Sequence, residues 1–498
     1  MESKRISLAG TVSSLTGIQT RPREWLPPDR RQTYDGDDRT LTYLVVMAMN
    51  RRRFLASTGT LAAGLTAACG GLGGARIARS ERPRAASGDF PPGERPRFDP
   101  QDWGSVREQF AIAERPIDLS AMLLASHPWP VRSAIEEHRL GLDLEPTLYH
   151  ERNDDRLTWA SVEAAADYLG ADADDIALTD STTMGLGILY NGLRLRQGDE
   201  LLTTEHDYYV THESLRQAAG RTGATLRKIR LYDEIGGVSA GGIVGAIRNA
   251  IRPRTRVLAL TWVHSGTGLR IPFSEIAEVV EEANDGRDEE DRLLLCMDGV
   301  HGFGIEDETV DDLGIDFLAA GTHKWIFGPR GTGILWGKGD RWAHLQPSIP
   351  SFRDGASWRA WFRDEEPEGR ADGARMTPGG FKPFEHRWAM APAFQLHRAI
   401  GKDRVRERTH DLARQLKEGL ESIDGVELIT PLDDDLSSGI VCCDLEGMSA
   451  RSAVSALRQR EIVASTTPYA VEYLRFSPSI RNTPEEVEAA LRAVRELA

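Results

Sequence analysis

From about residue 116 onward, short apolar runs alternate with stretches of helical periodicity, the pattern of a sheet covered by helices. Two of the apolar runs end abruptly. Residues 293–297 (Leu-Leu-Leu-Cys-Met) stop at Asp298, and residues 316–320 stop at Gly321-Thr322-His323-Lys324-Trp325. A continuous apolar run of this length reads as a strand buried on both faces, and its polar end as the C-terminal edge of the sheet. Further strands are expected at 175–180, 200–204, 256–263, 331–337 and 439–443. Helices are expected at 161–169, from the 181–185 hydroxyl cluster to about 195, from about 391 to 423, from 449, and from 484. Residues 281–292 read as a solvated acidic loop, and 346–374 as a long irregular loop over the site. The chain thus divides into a large domain at 116–345, and an interface loop with a small C-terminal α/β domain at 346–498.

The N-terminal part has a different character. Arg51-Arg52-Arg53-Phe54-Leu55, a short moderately apolar segment and small residues up to Cys69 resemble a twin-arginine export signal within residues 47–75. The apolar segment is too short for a stable membrane span. Such a signal belongs at the very start of a chain, so Met47 or Met49 is expected to be the true start and 1–46 a gene-model extension. The localisation expected is periplasmic or otherwise extracytoplasmic. Ala67-Ala68-Cys69 resembles a lipoprotein cleavage site, with Thr66 where that motif wants Leu. Residues 76–115 read as a linker and N-terminal segment; the glycines at 70–74 follow a signal rather than a strand and do not form a dinucleotide loop.

Composition narrows the classes. A chain of 498 residues, 40% hydrophobic and 28% charged, has the length for two domains and the balance of a soluble globular enzyme. The net charge of -15 argues against nucleic acid or an anionic membrane as partner. Four cysteines make no disulfide framework, and Cys442 and Cys443, adjacent on a strand, should point to opposite faces. No Cys/His spacing resembles a zinc site; His206 and His212 miss helical ligand spacing.

Asp298 and Lys324 carry the chemistry. Neighbouring strands bring a carboxylate and an amine to one place. Pyridoxal phosphate needs that pair: a lysine to hold its aldehyde and a carboxylate to keep its ring nitrogen protonated. The competing readings are an N-cap for the aspartate and solvated surface for the lysine. Upstream, Ser181-Thr182-Thr183 opens a helix right after a strand, either as an anion cradle or as an ordinary cap.

Asp298-Gly-Val-His301, Thr322-His323-Lys324-Trp325 and Gly328-Pro-Arg-Gly-Thr-Gly333 resemble the class V aminotransferase family, which includes cysteine desulfurases, kynureninases and isopenicillin N epimerases. The resemblance spans roughly residues 115 to 498, and His301 and Trp325 bring it nearer the epimerase-like branch. It implies a fold-type-I α/β architecture with a mostly parallel seven-stranded sheet, pyridoxal 5'-phosphate as cofactor and a homodimer. It further implies phosphate held at Ser181, Thr182 and Thr183, with Met184 replacing the usual Glu. Tyr208, or alternatively His206, would stack on the cofactor ring, and His264 or Ser265 would supply a small polar group. His301 would bond the ring oxygen, and His323 would lie near phosphate or lysine. Phe381 stands where relatives carry a Thr that reaches the partner's phosphate. Arg475, in an Arg-x-Ser motif, would hold the substrate's α-carboxylate.

The reaction expected first is transamination of an amino acid. Epimerisation, and C–S or C–N elimination, share the same residues. Residues 464–469 contain no cysteine, against a desulfurase. The non-enzymatic alternative is an exported, catalytically silent binding protein on the same scaffold.

Overall fold

The computed structural model describes residues 95–498; the segment expected to be an export signal, Cys69 and residues 1–46 lie outside the described residues. Its strands are, in chain order, β1 (Ile117–Asp118), β2 (Ile176–Thr179), β3 (Glu200–Thr204), β4 (Thr225–Ile229), β5 (Thr255–Thr261), β6 (Leu294–Asp298), β7 (Phe317–Gly321) and β8 (Gly333–Gly337). They continue with β9 (Val426–Leu428), β10 (Val441–Leu445), β11 (Ile462–Val463), β12 (Ser465–Thr466) and β13 (Leu474–Phe476). Among the described residues the main sheet has seven strands in the order β2-β8-β7-β6-β5-β3-β4. All run parallel except β8, which is antiparallel to both neighbours. This is the fold-type-I sheet that the sequence implied.

The apolar runs are continuous because both faces are covered. On β5, Leu258 and Leu260 enter one core while Val257 and Ala259 enter the other. On β6, Leu295 and Met297 alternate in the same way with Leu294 and Cys296. The helices Ala240–Ala250 and Phe273–Asn284 cover the first face through Ile243, Ile247, Ile276 and Val280. The helices Thr182–Gly192 and Tyr209–Thr222 cover the second through Leu186, Leu189 and Leu215.

The C-terminal part builds an antiparallel sheet, β12-β13-β10-β9, and β1 joins β11 in parallel, so residue 117 pairs with residue 462. The helices Lys402–Glu421 and Pro484–Arg495 pack on it through Leu412, Leu416, Val487 and Leu491. Each such buried aliphatic contributes roughly 1.5–3 kcal/mol. Thr483 caps the second helix in a capping box with Glu486, and Pro484 fills its first position. Cys442 packs into a core of the main sheet and Cys443 into the C-terminal one, the opposite faces their adjacency required.

Several expectations change. Residues 346–374 are not irregular throughout: they hold a helix at Gly355–Arg363, capped by Asp354, and the start of another at Gly373–Met376. The helical stretch at 391–423 is two helices, Met390–Ile400 and Lys402–Glu421, broken at Gly401, whose φ of 101° an L side chain rarely adopts. The helix at 161–169 begins much earlier, at Pro146. Strand β4 was not anticipated, because its exposed and half-buried residues lack the continuous apolar run of the inner strands.

Candidate active site

The main sheet's C-terminal edge opens on a cavity of about 310 Å³. Its wall contains Ser181, Thr182, Thr183, Tyr208, Asp298, His301, His323, Lys324 and Arg475, together with Thr261 and Ser265. Every residue assigned to the site from sequence therefore reaches one place, apart from the alternatives His206 and His264. These two stack near each other behind the wall. His206 lies flat on Tyr232 with ring centroids 4.1 Å apart, and Leu231 N–H donates to its Nε2. His264 is fully buried, held neutral by a pKa lowered to about 4, with neither ring nitrogen bonded among the described residues.

Asp298 ends β6 with its side chain 2% exposed, and its carboxylate receives one hydrogen bond, from Val300 N–H at 3.2 Å. Burial, with the charge of Asp207 adding to it, pushes its pKa up to about 6 despite that bond and the nearby Lys324. Lys324 follows β7, and its side-chain amine makes no hydrogen bond or ion pair among the described residues. Burial lowers its pKa to about 8, as does the charge of Arg475, while Asp298 opposes the shift. His301 is buried and kept neutral by burial and by the charges of Lys324 and Arg475. Trp325 Nε1–H donates to its Nδ1 at 3.4 Å, so its proton sits on Nε2. The turn that carries it is tight: a Cβ on Gly302 would stand 2.3 Å from the Trp262 ring. Burial and Lys324 also lower the pKa of His323.

The hydroxyl cluster divides its labour. Ser181 Oγ caps the helix Thr182–Gly192 by accepting from Met184 N–H, and Thr182 Oγ1 accepts from Gly321 N–H at 2.8 Å. The cap reading thus holds for the serine side chain. The N–H groups of Thr182 and Thr183 and the Thr183 hydroxyl have no partner among the described residues, and remain for an anion at the positive end of the helix dipole.

Tyr208 is set in place by its neighbour. Asp207 Oδ2 accepts from Thr203, from Thr204 N–H and from the Thr204 hydroxyl, and its Oδ1 accepts from Thr261 N–H at 2.6 Å. The aspartate ties the end of β3 to the end of β5, and sequence reasoning passed over it. Its signal was an aspartate three residues after Thr204, the spacing of a side chain turning back to a strand end.

Arg475, on β13, is 2% exposed. It donates from Nε to Ser465 Oγ, from Nη1 to Ser265 carbonyl and from Nη2 to Thr466 carbonyl, at 3.1, 2.7 and 3.0 Å. Three of about five N–H donors are so engaged, leaving one on each terminal nitrogen. No carboxylate pairs with it among the described residues. Tyr469 was also missed: its hydroxyl lies 2.8 Å from Ser265 Oγ and its ring meets the edge of Tyr208. In the sequence, residues 464–469 stand out only for lacking a cysteine.

These groups fit pyridoxal phosphate. A buried carboxylate with one weak donor accepts a ring N–H, an unpaired amine accepts an aldehyde, and free N–H groups at a helix start accept a phosphate. Fold and site together define a fold-type-I, pyridoxal-phosphate-dependent enzyme class.

The comparisons narrow this. The aminotransferase class-V family model matches residues 155–490, and the chain belongs to that family. It is 27% identical over 417 residues to isopenicillin N epimerase of Amycolatopsis lactamdurans, covering 80% of this chain and 98% of that protein. A probable cysteine desulfurase of Vibrio cholerae is 23% identical over 356 residues, covering 67% and 80%. Among solved structures, the cystine C-S lyase C-DES with its product cysteine persulfide superposes with a TM-score of 0.69 at 22% identity, covering 77% of this chain and 98% of that one. The cysteine desulfurase CsdA from Escherichia coli gives 0.67 at 20% identity, covering 80% and 98%.

Proposed function

We propose that this enzyme acts at the Cα of an amino acid by proton transfer through Lys324. The observation that carries the reading is Arg475, a buried guanidinium with no carboxylate partner among the described residues, sharing one cavity with Lys324 and Asp298. Pyridoxal phosphate supplies the aldehyde that takes up the amine and the ring that takes up the electron pair released at Cα. Asp298 holds the ring nitrogen's proton, the amides of Thr182 and Thr183 with the Thr183 hydroxyl hold phosphate, and Tyr208 forms the wall against the ring. His301 offers Nε2–H to the ring oxygen. Arg475 fixes the α-carboxylate, which orients the Cα–H bond. Lys324 acts as the base, and its pKa, lowered to about 8, makes its free-amine fraction near neutral pH far larger than that of an ordinary lysine.

Two outcomes divide from this step. Transamination needs Lys324 alone for its proton transfers. Epimerisation needs a second acid facing it, and the Tyr469–Ser265 pair, together with the likeness to an isopenicillin N epimerase over nearly its whole length, favours that outcome. The absence of cysteine from residues 464–469 speaks against desulfuration. Incubating the holoenzyme with single L-amino acids in heavy water, and following both Cα deuteration and the cofactor spectrum, tests the reading. Deuteration lost in Lys324→Ala is expected; no deuteration of any amino acid by the wild type would refute it.

Export along the twin-arginine route and homodimer formation belong to the same proposal. The arginine motif at 51–53 supports the first. Exposed Phe352, Trp358, Trp361, Phe362 and Phe381, an apolar patch of the kind that marks interfaces, support the second.

A further inference from the structure

We infer that Tyr469, positioned by Ser265, is a second proton-transferring residue that works from the side of the site opposite Lys324. This rests on the epimerisation outcome proposed above. The strand order sets up the opposition. Asp298 lies on β6; β7, on one side, leads to Lys324, while β5 on the other side leads to Ser265, and beyond it β3 leads to Tyr208. The amine and the tyrosines therefore flank Asp298 from opposite sides along the sheet edge.

The position of Tyr469 is built rather than incidental. Its ring edge meets Tyr208, with centroids 6.1 Å apart and planes at 67°. Its hydroxyl stands 2.8 Å from Ser265 Oγ, and the carbonyl of that same serine accepts from Arg475 Nη1 at 2.7 Å. Tyr469 and Arg475 thus meet on one serine, and that serine and Arg475 both line the cavity. Gly266 makes room, since a Cβ there would meet the Tyr469 ring at 3.0 Å. Burial raises the phenol's pKa despite Ser265 and Arg475, with the charges of Asp298 and Asp207 adding to the rise, so at neutral pH it is protonated.

The step balances without any further reagent. Lys324 Nζ takes the Cα proton and becomes an ammonium, and the electron pair of the broken C–H bond passes into the conjugated cofactor. On the other side the Tyr469 O–H bond breaks. Its proton and the returned electron pair form a new C–H bond at Cα, and the oxygen keeps its own pair as a phenolate, held by the Ser265 hydroxyl and the Arg475 charge. The ammonium then returns a proton to the phenolate through water, restoring both groups. The configuration at Cα has inverted with no change of oxidation state.

The test compares holoenzyme and its Tyr469→Phe variant on each proteinogenic L-amino acid in heavy water, reading Cα deuteration by mass spectrometry and configuration by chiral chromatography. General acid catalysis is worth about 100-fold or more. The ratio of inversion to deuteration is therefore expected to fall about 100-fold or more in the variant, with deuteration itself falling far less. An unchanged ratio overturns the inference. So does a wild type that deuterates but never inverts, which leaves the Cα reading standing; a wild type that does not deuterate sinks both. A second readout avoids turnover. In cofactor-free protein carrying carbon-13 tyrosine, the signal lost in Tyr469→Phe identifies this residue. Ser265→Ala should shift that signal at neutral pH, and a signal unmoved by the change would show that the two hydroxyls are not hydrogen-bonded.

Discussion

Replacing Asp298 by asparagine should make the cofactor-free protein more stable and the holoenzyme useless. The carboxylate is buried with a single backbone donor, and its pKa stands at about 6 against an ordinary 3.8. A difference of that size is worth about 3 kcal/mol of charge-burial penalty in the fold. Asparagine removes the charge but leaves an amide with unmet donors, which gives back about 1–2 kcal/mol. The net expectation is a gain of about 1–2 kcal/mol near neutral pH. The sign with pH follows from the direction of the shift. A folded pKa above the unfolded one means that the native state binds the proton more tightly, so wild-type stability falls as pH rises from about 4 to about 6. The advantage of Asp298→Asn should accordingly be full above about pH 6 and fade by about pH 4. Urea unfolding of the cofactor-free proteins across that range measures it. With pyridoxal phosphate saturating, the order should reverse, because only the carboxylate gains a ring N–H partner. A variant less stable than wild type at neutral pH, or a gain independent of pH, would show that Asp298 is not a buried unpaired charge and that its role needs another account.

Three further outcomes follow from the same geometry. Arg475→Lys should bind cofactor but handle amino acids poorly, losing roughly 2–5 kcal/mol of carboxylate binding, while simple amines suffer little; equal losses for both would make the residue structural. Replacing Arg51, Arg52 and Arg53 by lysine should hold the protein in the cytoplasm, and normal export in cell fractionation would refute the twin-arginine reading. Trp361→Glu, on the exposed aromatic helix, should shift sedimentation from dimer toward monomer; a wild type that sediments as a monomer would remove the dimer altogether.

What the sequence made legible was the edge of the sheet. Asp298 and Lys324 announce themselves because the strands before them are apolar along their length, so a carboxylate at the end of one and an amine just past the end of the other mark the sheet edge. Arg475 is legible by resemblance, since β13 has only three residues and no long apolar run. The misses share a cause. Strand β4 lies at the rim of the sheet with half-exposed residues, where alternation is weak, and Gly401 breaks a helix within an otherwise unbroken periodic pattern. Asp207 bonds Thr204 locally, but its tie to Thr261, like that of Tyr469 to Ser265, joins distant segments. No local pattern encodes such a contact.

The hydroxyl cluster after β2 shows why two competing readings of a motif need not exclude each other. A helix start leaves its first N–H groups without helical partners, and a serine cap satisfies only one of them. Ser181 does that here, for Met184, and Thr182 turns its hydroxyl to the Gly321 amide. This second bond joins the start of the helix to the strand end that carries Lys324. Capping therefore fixes the direction in which the Thr182 and Thr183 amides point, and links that direction to the lysine. An anion held there is held at a set distance from the amine, which is what a cofactor with a phosphate at one end and an aldehyde at the other requires. The cap is the means by which the cradle is positioned, and a variant such as Ser181→Ala would weaken phosphate binding without removing a single phosphate ligand.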